Sequence, residues 1–164
     1  MQEILSKQEI DKKINRLAHQ LLENCFDEKQ LFLGGISGNG IILANRIAEI
    51  IRKHSDLKVN VFEIFINKVE PWSEKTRLTA EKEELKNGYI VLVDDVLNSG
   101  KTMQYALIEI LQFPTKAIKT LTLVDRTHRR FPIKANFVGL SLSTTLKDRV
   151  EVILTGDNAK AYLV

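Results

Sequence analysis

The segment IVLVDDVLNSGKTM, Ile90 to Met103, restricts what this chain can become more than any other stretch. An apolar run that breaks off at two adjacent carboxylates, Asp94 and Asp95, and then enters a small-residue turn predicts a buried strand whose carboxyl end meets something polar. Such a strand needs cover on both faces, and its neighbours supply it. Ser6 to Glu9 fit a capping box, after which Ile10, Ile14, Leu17, Ala18, Leu21, Leu22 and Cys25 recur at helical spacing, predicting an amphipathic helix over about Lys7 to Cys25. Leu31 to Leu33 reads as a short buried strand running into the glycine-rich turn Gly34 to Gly40. A helix follows from about Ile41 to Lys53, with Leu43, Ala44, Ile47, Ala48 and Ile51 inward.

Val59 to Ile66 alternates as a strand should, and Asn67 to Asn87 is a polar segment, turn-like around Pro71, expected to be a mobile loop with a helical turn near Ala80 to Leu85. Beyond the quoted strand come a helix from about Thr102 to Leu111, a strand from about Ala117 to Val124, and short strands at Ala135 to Val138 and Val150 to Leu154. Strands alternating with helices predict an α/β fold: one open, mostly parallel sheet with helices on both faces. A length of 164 residues suits one domain with a full core.

Composition removes several function classes. With 44% hydrophobic and 27% charged residues, the chain is neither disordered nor membrane-spanning, and apolar runs such as Tyr89 to Val93 are too short to cross a bilayer. The N-terminal MQEILSKQEIDKK carries acids and lacks an apolar signal core, so a cytoplasmic location is expected. The single Cys25 cannot form an internal disulfide or a cysteine metal cluster and reads as a core residue. A net charge of +3 does not by itself imply nucleic-acid binding, which needs a local patch.

In an open parallel sheet, ligands bind in the crevice at the carboxyl ends of the strands, where Asp94 and Asp95 stand. Adjacent acids on an extended backbone point to opposite faces; as acceptors they suit a vicinal diol or a hydrated magnesium ion and repel a phosphate. The turn Leu97, Asn98, Ser99, Gly100, Lys101, Thr102 opens a helix, where free amides and the positive end of the helix dipole favour an anion. Diol acceptors beside an anion cradle describe a clamp for ribose 5-phosphate. The plain alternative is a strand end followed by a helix cap. A nucleotide P-loop fits worse: Gly100-Lys101-Thr102 matches the tail of that motif, but its first glycine would fall on Asp95.

VLVDDVLNSGKT resembles the phosphoribosyl pyrophosphate (PRPP) signature of type I phosphoribosyltransferases. Arg16-Leu17-Ala18-His19, Gly40-Ile41-Ile42-Leu43-Ala44 and the stretch Leu123 to Gly139 extend the likeness, in order, to the pyrimidine-operon attenuation regulators that also act as uracil phosphoribosyltransferases. The resemblance implies one domain over residues 1–164, a flexible loop at about 67–87, and a small hood from the N-terminal segment and about residues 125–164. It implies transfer of the phosphoribosyl group of PRPP to uracil, giving UMP and pyrophosphate. Asp94 and Asp95 would be catalytic on the ribose and would hold Mg2+ through ribose or water. Leu97 to Thr102 would bind the 5-phosphate; Ser37, Gly38, Asn39 and Gly40 the pyrophosphate; and Val124, Asp125 and Arg126 the base. A homodimer is implied as well.

The glycine turn carries Ser37 and Asn39 where the regulators usually have Lys and Arg, so Lys68, Lys75 or Arg77 would have to supply the charge at the pyrophosphate. Asn98 stands where the 6-oxopurine enzymes usually carry an aspartate; an amide cannot take a proton, which favours a pyrimidine. His19, His128, Arg129 and Lys134, with Arg126 and Arg130 close by, read either as a solvated face or as an RNA-phosphate patch. Leu140 replaces a residue that is usually basic in the regulators. Trp72 reads as a lid residue or as packing beneath the loop, and His54 as surface. Two further functions stay open: a weakly catalytic or non-catalytic nucleotide-sensing RNA-binding regulator, and a phosphoribosyltransferase for another nucleobase.

Overall fold

The computed structural model describes residues 1–145 and 147–164. Its centre is β5 (Tyr89–Leu97), in which Ile90, Val91, Leu92 and Val93 are fully buried. β2 (Gln30–Ile36) and β6 (Ala117–Asp125) flank it in parallel, β3 (Lys58–Phe65) and β7 (Phe137–Ser141) extend the sheet in parallel, and β4 (Arg77–Leu78) closes one edge antiparallel to β3. The order is β4-β3-β2-β5-β6-β7.

Alternate residues of each strand face different helices, and this divides the core in two. Leu31, Leu33, Val91 and Val93 pack with α1 (Lys7–Asn24) and α2 (Asn39–His54), whereas Phe32, Ile90 and Leu92 pack with Met103, Ala106 and Ile110 of α4 (Lys101–Ile110) and Leu85 of α3 (Lys82–Leu85). The capping box at the start of α1 is present: Ser6 Oγ accepts from Glu9 N at 3.2 Å, and Glu9 Oε2 from Ser6 N at 2.7 Å.

A second sheet, in the order β1-β9-β8, is antiparallel and brings together β1 (Gln2–Leu5), β8 (Val150–Ile153) and β9 (Lys160–Leu163). The sequence predicts only β8 of these three. It predicts a strand over Ala135 to Val138, whereas β7 starts at Phe137, because the Asn136 side chain meets the edge of β6: Oδ1 accepts from Thr120 N at 3.0 Å. Within 67–87 the structure has the helical turn, as α3, and adds the short strand β4. The first part of this segment is docked. Asn67 Oδ1 accepts from Val69 N and Glu70 N at 3.0 and 2.9 Å, and Lys101 Nζ donates to Val69 O at 2.9 Å. Trp72 lies 6.4 Å from the Tyr105 ring and 5.8 Å from the Lys101 ammonium. Among the described residues, no helix is long and apolar enough to cross a membrane.

Candidate active site

Asp94 and Asp95 end the buried part of the central strand, and their side chains take different partners. Asp94 is 5% exposed; its Oδ1 accepts from Asp95 N at 2.9 Å and lies 3.6 Å from Lys68 Nζ. Burial, reinforced by the neighbouring Asp95 charge, pushes the Asp94 carboxyl up to about 7, against the pull of Lys68 in the opposite direction. Asp95 is held at both oxygens: Oδ1 accepts from Val96 N at 2.8 Å and Oδ2 from Asn39 Nδ2 at 2.9 Å.

The turn that follows has its carbonyls drawn to one side. Leu97 O accepts from Arg126 N at 3.0 Å, Asn98 O from Arg129 Nη1 at 2.7 Å, and Ser99 O from Arg130 N and Phe131 N at 2.9 and 3.1 Å. The loop after β6 therefore braces the outer side of the turn; of the first-turn amides of α4, which have no intrahelical acceptor, Lys101 N donates to Ser99 Oγ at 3.3 Å, and those after it face no such partner among the described residues and suit an anion. Gly100 has φ +89°, and a Cβ there would stand 2.5 Å from Ile133 Cγ2, so conformation and space both demand glycine. Asp94 through Met103, together with Lys68 and Val150, line one cavity of about 390 Å³. A larger cavity of about 520 Å³, lined by Lys75, Arg77, Lys82 and Glu109 among others, lacks both the acid pair and the turn.

The glycine turn approaches the same acids from the neighbouring strand. Gly38, with φ +97°, bends the chain into α2, and a Cβ on Gly40 would lie 2.7 Å from Val93 O and 3.3 Å from Asp94 Oδ1. Ser37 opens onto a separate cavity of about 360 Å³ that Lys75 and Arg77 also line, with the Arg77 guanidinium 4.1 Å from the Phe65 ring centroid. Of the three loop cations named from the sequence, Lys68 reaches Asp94, and Lys75 and Arg77 stand beside the glycine turn.

Val124 and Asp125 end β6 and Arg126 follows them; none of the three lines the cavity of the acid pair, and Val124 is fully buried in the core. Arg126 is 8% exposed and spreads its fork over three acceptors: Nε to Thr144 Oγ1 at 3.0 Å, Nη1 to Asn98 Oδ1 at 3.1 Å and Nη2 to Thr145 O at 3.2 Å. Because Asn98 accepts from Arg126 through Oδ1, it is the Nδ2 donor end that remains for a ligand. Asp125 Oδ1 accepts from Thr127 N at 2.9 Å and from Arg129 Nη2 at 2.6 Å.

The basic run does not form one face. Arg129 turns inward, spending Nε on Ile133 O at 2.9 Å and its other nitrogens on Asp125 and Asn98, and His128 Nε2 donates to Thr144 O at 2.5 Å. Arg130 and Lys134 are exposed. His19 lies far along the chain on α1, its ring 5.0 Å from that of the exposed His54, while nearby Arg16 donates to Val138 O and Gly139 O at 3.0 and 2.7 Å. Sequence reasoning misses Thr144, Thr145, Val150 and Val152 as contributors to the site, because isolated Thr and Val residues in a C-terminal segment carry no local signal. It also misses the contact between Asn39 and Asp95, which spans 56 positions.

The phosphoribosyl transferase domain family matches residues 1–159. The bifunctional protein PyrR of Synechocystis sp. is 37% identical, over 93% of this chain and 89% of its own length. That of Macrococcus caseolyticus is 33% identical, over 98% and 97%. Among solved structures, a hypoxanthine-guanine phosphoribosyltransferase from Bacillus anthracis superposes with a TM-score of 0.79 at 18% identity, covering 100% of this chain and 97% of that one. The hypoxanthine phosphoribosyltransferase of Trypanosoma cruzi gives 0.77 at 14%, over 99% and 95%. At such identities the two structures speak for the fold alone, an open, mostly parallel sheet with helices on both faces. The family match over nearly the whole chain, with curated relatives above 30% identity, settles the membership: this protein belongs to the phosphoribosyl transferase domain family, in the group of the PyrR proteins.

Proposed function

We propose that this phosphoribosyltransferase transfers the 5-phosphoribosyl group of PRPP to uracil, releasing UMP and pyrophosphate. The observation that carries this reading is the single cavity in which Asp94 and Asp95 adjoin the turn from Leu97 to Thr102. The turn amides and the Ser99 and Thr102 hydroxyls hold the 5-phosphate, and the acids accept from the ribose hydroxyls. Fixed between these two anchors, C1 faces the base from one side and the departing pyrophosphate from the other, so positioning and charge supply most of the catalysis. As the bond from C1 to the pyrophosphate oxygen breaks, the ribose gains positive charge, which the nearby carboxylates favour. Lys75 and Arg77 flank the cavity at Ser37 and meet the pyrophosphate charge that the neutral glycine turn cannot.

Two carboxylates with no third acidic or imidazole ligand suit Mg2+, which keeps several waters and leans on substrate oxygens; among the described residues no group of three such side chains forms a cage. The raised pKa of buried Asp94 is consistent with a carboxyl that a cation would bring back to its ionised form. When bound, magnesium would neutralise charge on the pyrophosphate, with Asp94 and Asp95 holding it through ribose or water. Asn98 presents an amide N–H to the base, which matches a carbonyl oxygen of uracil. Incubation of the protein with labelled PRPP, magnesium and a panel of nucleobases tests the proposal: UMP and pyrophosphate form with uracil, and absence of product with every base overturns it.

The relatives are named bifunctional, which favours a second activity, the binding of RNA that carries pyrimidine-dependent control. Arg130 and Lys134 are exposed and available for phosphate contacts, and the His19 and His54 rings offer stacking surfaces. Salt-sensitive binding to a pyrimidine-leader RNA, reduced in Lys134→Ala, is the expected result; affinity unaffected by salt and by that substitution counts against it.

A further inference from the structure

Asn39 stands in a turn that the proposed function assigns to pyrophosphate, yet its side chain is already engaged elsewhere. Both hydrogens of its Nδ2 have acceptors: Asp95 Oδ2 at 2.9 Å and Val152 O at 2.8 Å. The first acceptor is one of the two acids at the end of β5. The second is a main-chain carbonyl of β8, in the small antiparallel sheet. Asn39 itself is the first residue of α2, whose start is seated against β5 by the close approach of Gly40 to Val93 O. One amide therefore ties together the glycine turn, the acid pair and the hood.

The chemistry selects this residue type. A primary amide has two N–H donors diverging from one nitrogen in a fixed plane, and it adds no charge beside Asp95. A carboxylate of the same shape would face Asp95 as a like charge and leave Val152 O without a donor. A lysine or arginine would pair with Asp95 but would also bring a net charge to the ribose side of the site. With Val96 N on Oδ1 and Asn39 on Oδ2, the Asp95 carboxylate cannot rotate. Since Val150 of the same strand lines the sugar-phosphate cavity, the amide also holds that wall in place.

We infer that Asn39 is a positioning residue for Asp95 and the link that seats the hood over the ribose, and not a ligand of pyrophosphate. The inference rests on the proposed sugar-phosphate site and deepens it. It separates two ligands that the glycine turn would otherwise be expected to serve together: the nucleotide, whose ribose needs Asp95, and metal-free pyrophosphate, which does not.

Calorimetric titration with UMP and, separately, with pyrophosphate in the absence of magnesium tests it on the full chain. Asn39→Ala weakens UMP roughly 10- to 100-fold, the range for one hydrogen bond to a charged group, and leaves pyrophosphate within about twofold. Asn39→Asp, which keeps the shape, weakens UMP at least as much, and Asn39→Lys does not restore it. Amide hydrogen exchange in β8 and β9 becomes faster in Asn39→Ala. The inference is overturned if pyrophosphate weakens while UMP holds, or if both weaken equally with a matching fall in Tm, or if exchange in β8 and β9 is unchanged. Should the wild-type protein bind no UMP, it is the sugar-phosphate reading that fails, and the exchange experiment still decides whether Asn39 seats the hood.

Discussion

Lys68 Nζ lies 3.6 Å from Asp94 Oδ1, so the docked loop after β3 places a half-exposed cation against an almost wholly buried acid. The separation is longer than a direct hydrogen bond, and the ammonium only partly offsets the cost of burying the charge. Any ligand hydroxyl or hydrated cation that reaches Asp94 competes with Lys68 for the same oxygen.

This arrangement sets a sign for the pH dependence of stability in magnesium-free protein. The Asp94 pKa is raised from 3.8 to about 7 by burial and by Asp95, so its contribution is most favourable below pH 4 and is lost as pH rises through about 7. Asp94→Asn removes that dependence. Thermal melts should show the variant more stable than wild type at pH 8, with the gap narrower at pH 5 and closed only near pH 4; a gap of the same size at pH 8 and pH 5 contradicts the burial argument.

Each acid is expected to be needed for turnover. Asp95→Asn keeps the shape but offers Asn39 an acceptor that is no longer charged, and it removes charge stabilisation from the ribose; a loss of about 100-fold or more in kcat/KM follows. Steady-state rates of UMP formation at saturating magnesium check this, with calorimetry to confirm that the protein stays folded.

Gly100 and Gly156 both have positive φ, +89° and +73°, but only Gly100 lacks room for a Cβ. Gly156→Ala should cost about 1–2 kcal/mol from conformation alone. Gly100→Ala adds the collision with Ile133 and should lower the urea midpoint further, with loss of ribose 5-phosphate binding. Equal effects of the two substitutions would show that the packing of the turn against Ile133 is loose.

Arg126→Lys retains the charge and loses the fork. One ammonium cannot reach Thr144, Asn98 and Thr145 together, and a loss of about 2–4 kcal/mol in unfolding free energy is expected. Without its guanidinium partner the Asn98 amide is free to flip, so discrimination between uracil and hypoxanthine should narrow in a nucleobase competition assay.

Trp72 is the sole tryptophan and sits beside Tyr105 and Lys101, next to the segment that carries Lys68. Emission excited at the tryptophan band should change as UMP displaces Lys68 from Asp94, with a midpoint equal to the calorimetric Kd. In Lys68→Ala the unliganded emission should already approach that of the complex. An unchanged spectrum across the titration would mean that the loop stays docked.

Some parts of this molecule are legible locally: β5 from its apolar run, α1 from its capping box and period, and the acid pair with its turn from their order along the chain. What escaped was set by partners far away. β1 and β9 are four residues each and gain meaning only from one another, Gln2 opposite Leu163. Arg129 looks solvated in a basic run, but the left-handed Thr127, φ +63°, redirects the chain and brings Arg129 onto Asp125. Asn39 reads as a lost charge in the sequence and as a bridge in the fold, because Asp95 and Val152 are invisible from its neighbours. Lys68 was legible as a loop cation, while its choice of Asp94 depended on how the loop docks.

The pairing of β1 with β9 also has a bearing on how the molecule is made. A strand from the first five residues finds no partner until residues beyond 160 have been synthesised, so the large sheet can assemble while the nascent chain is still being extended, and its roof cannot. During that interval β8, which carries Val150 of the cavity wall, lacks the sheet that holds it over the carboxylates.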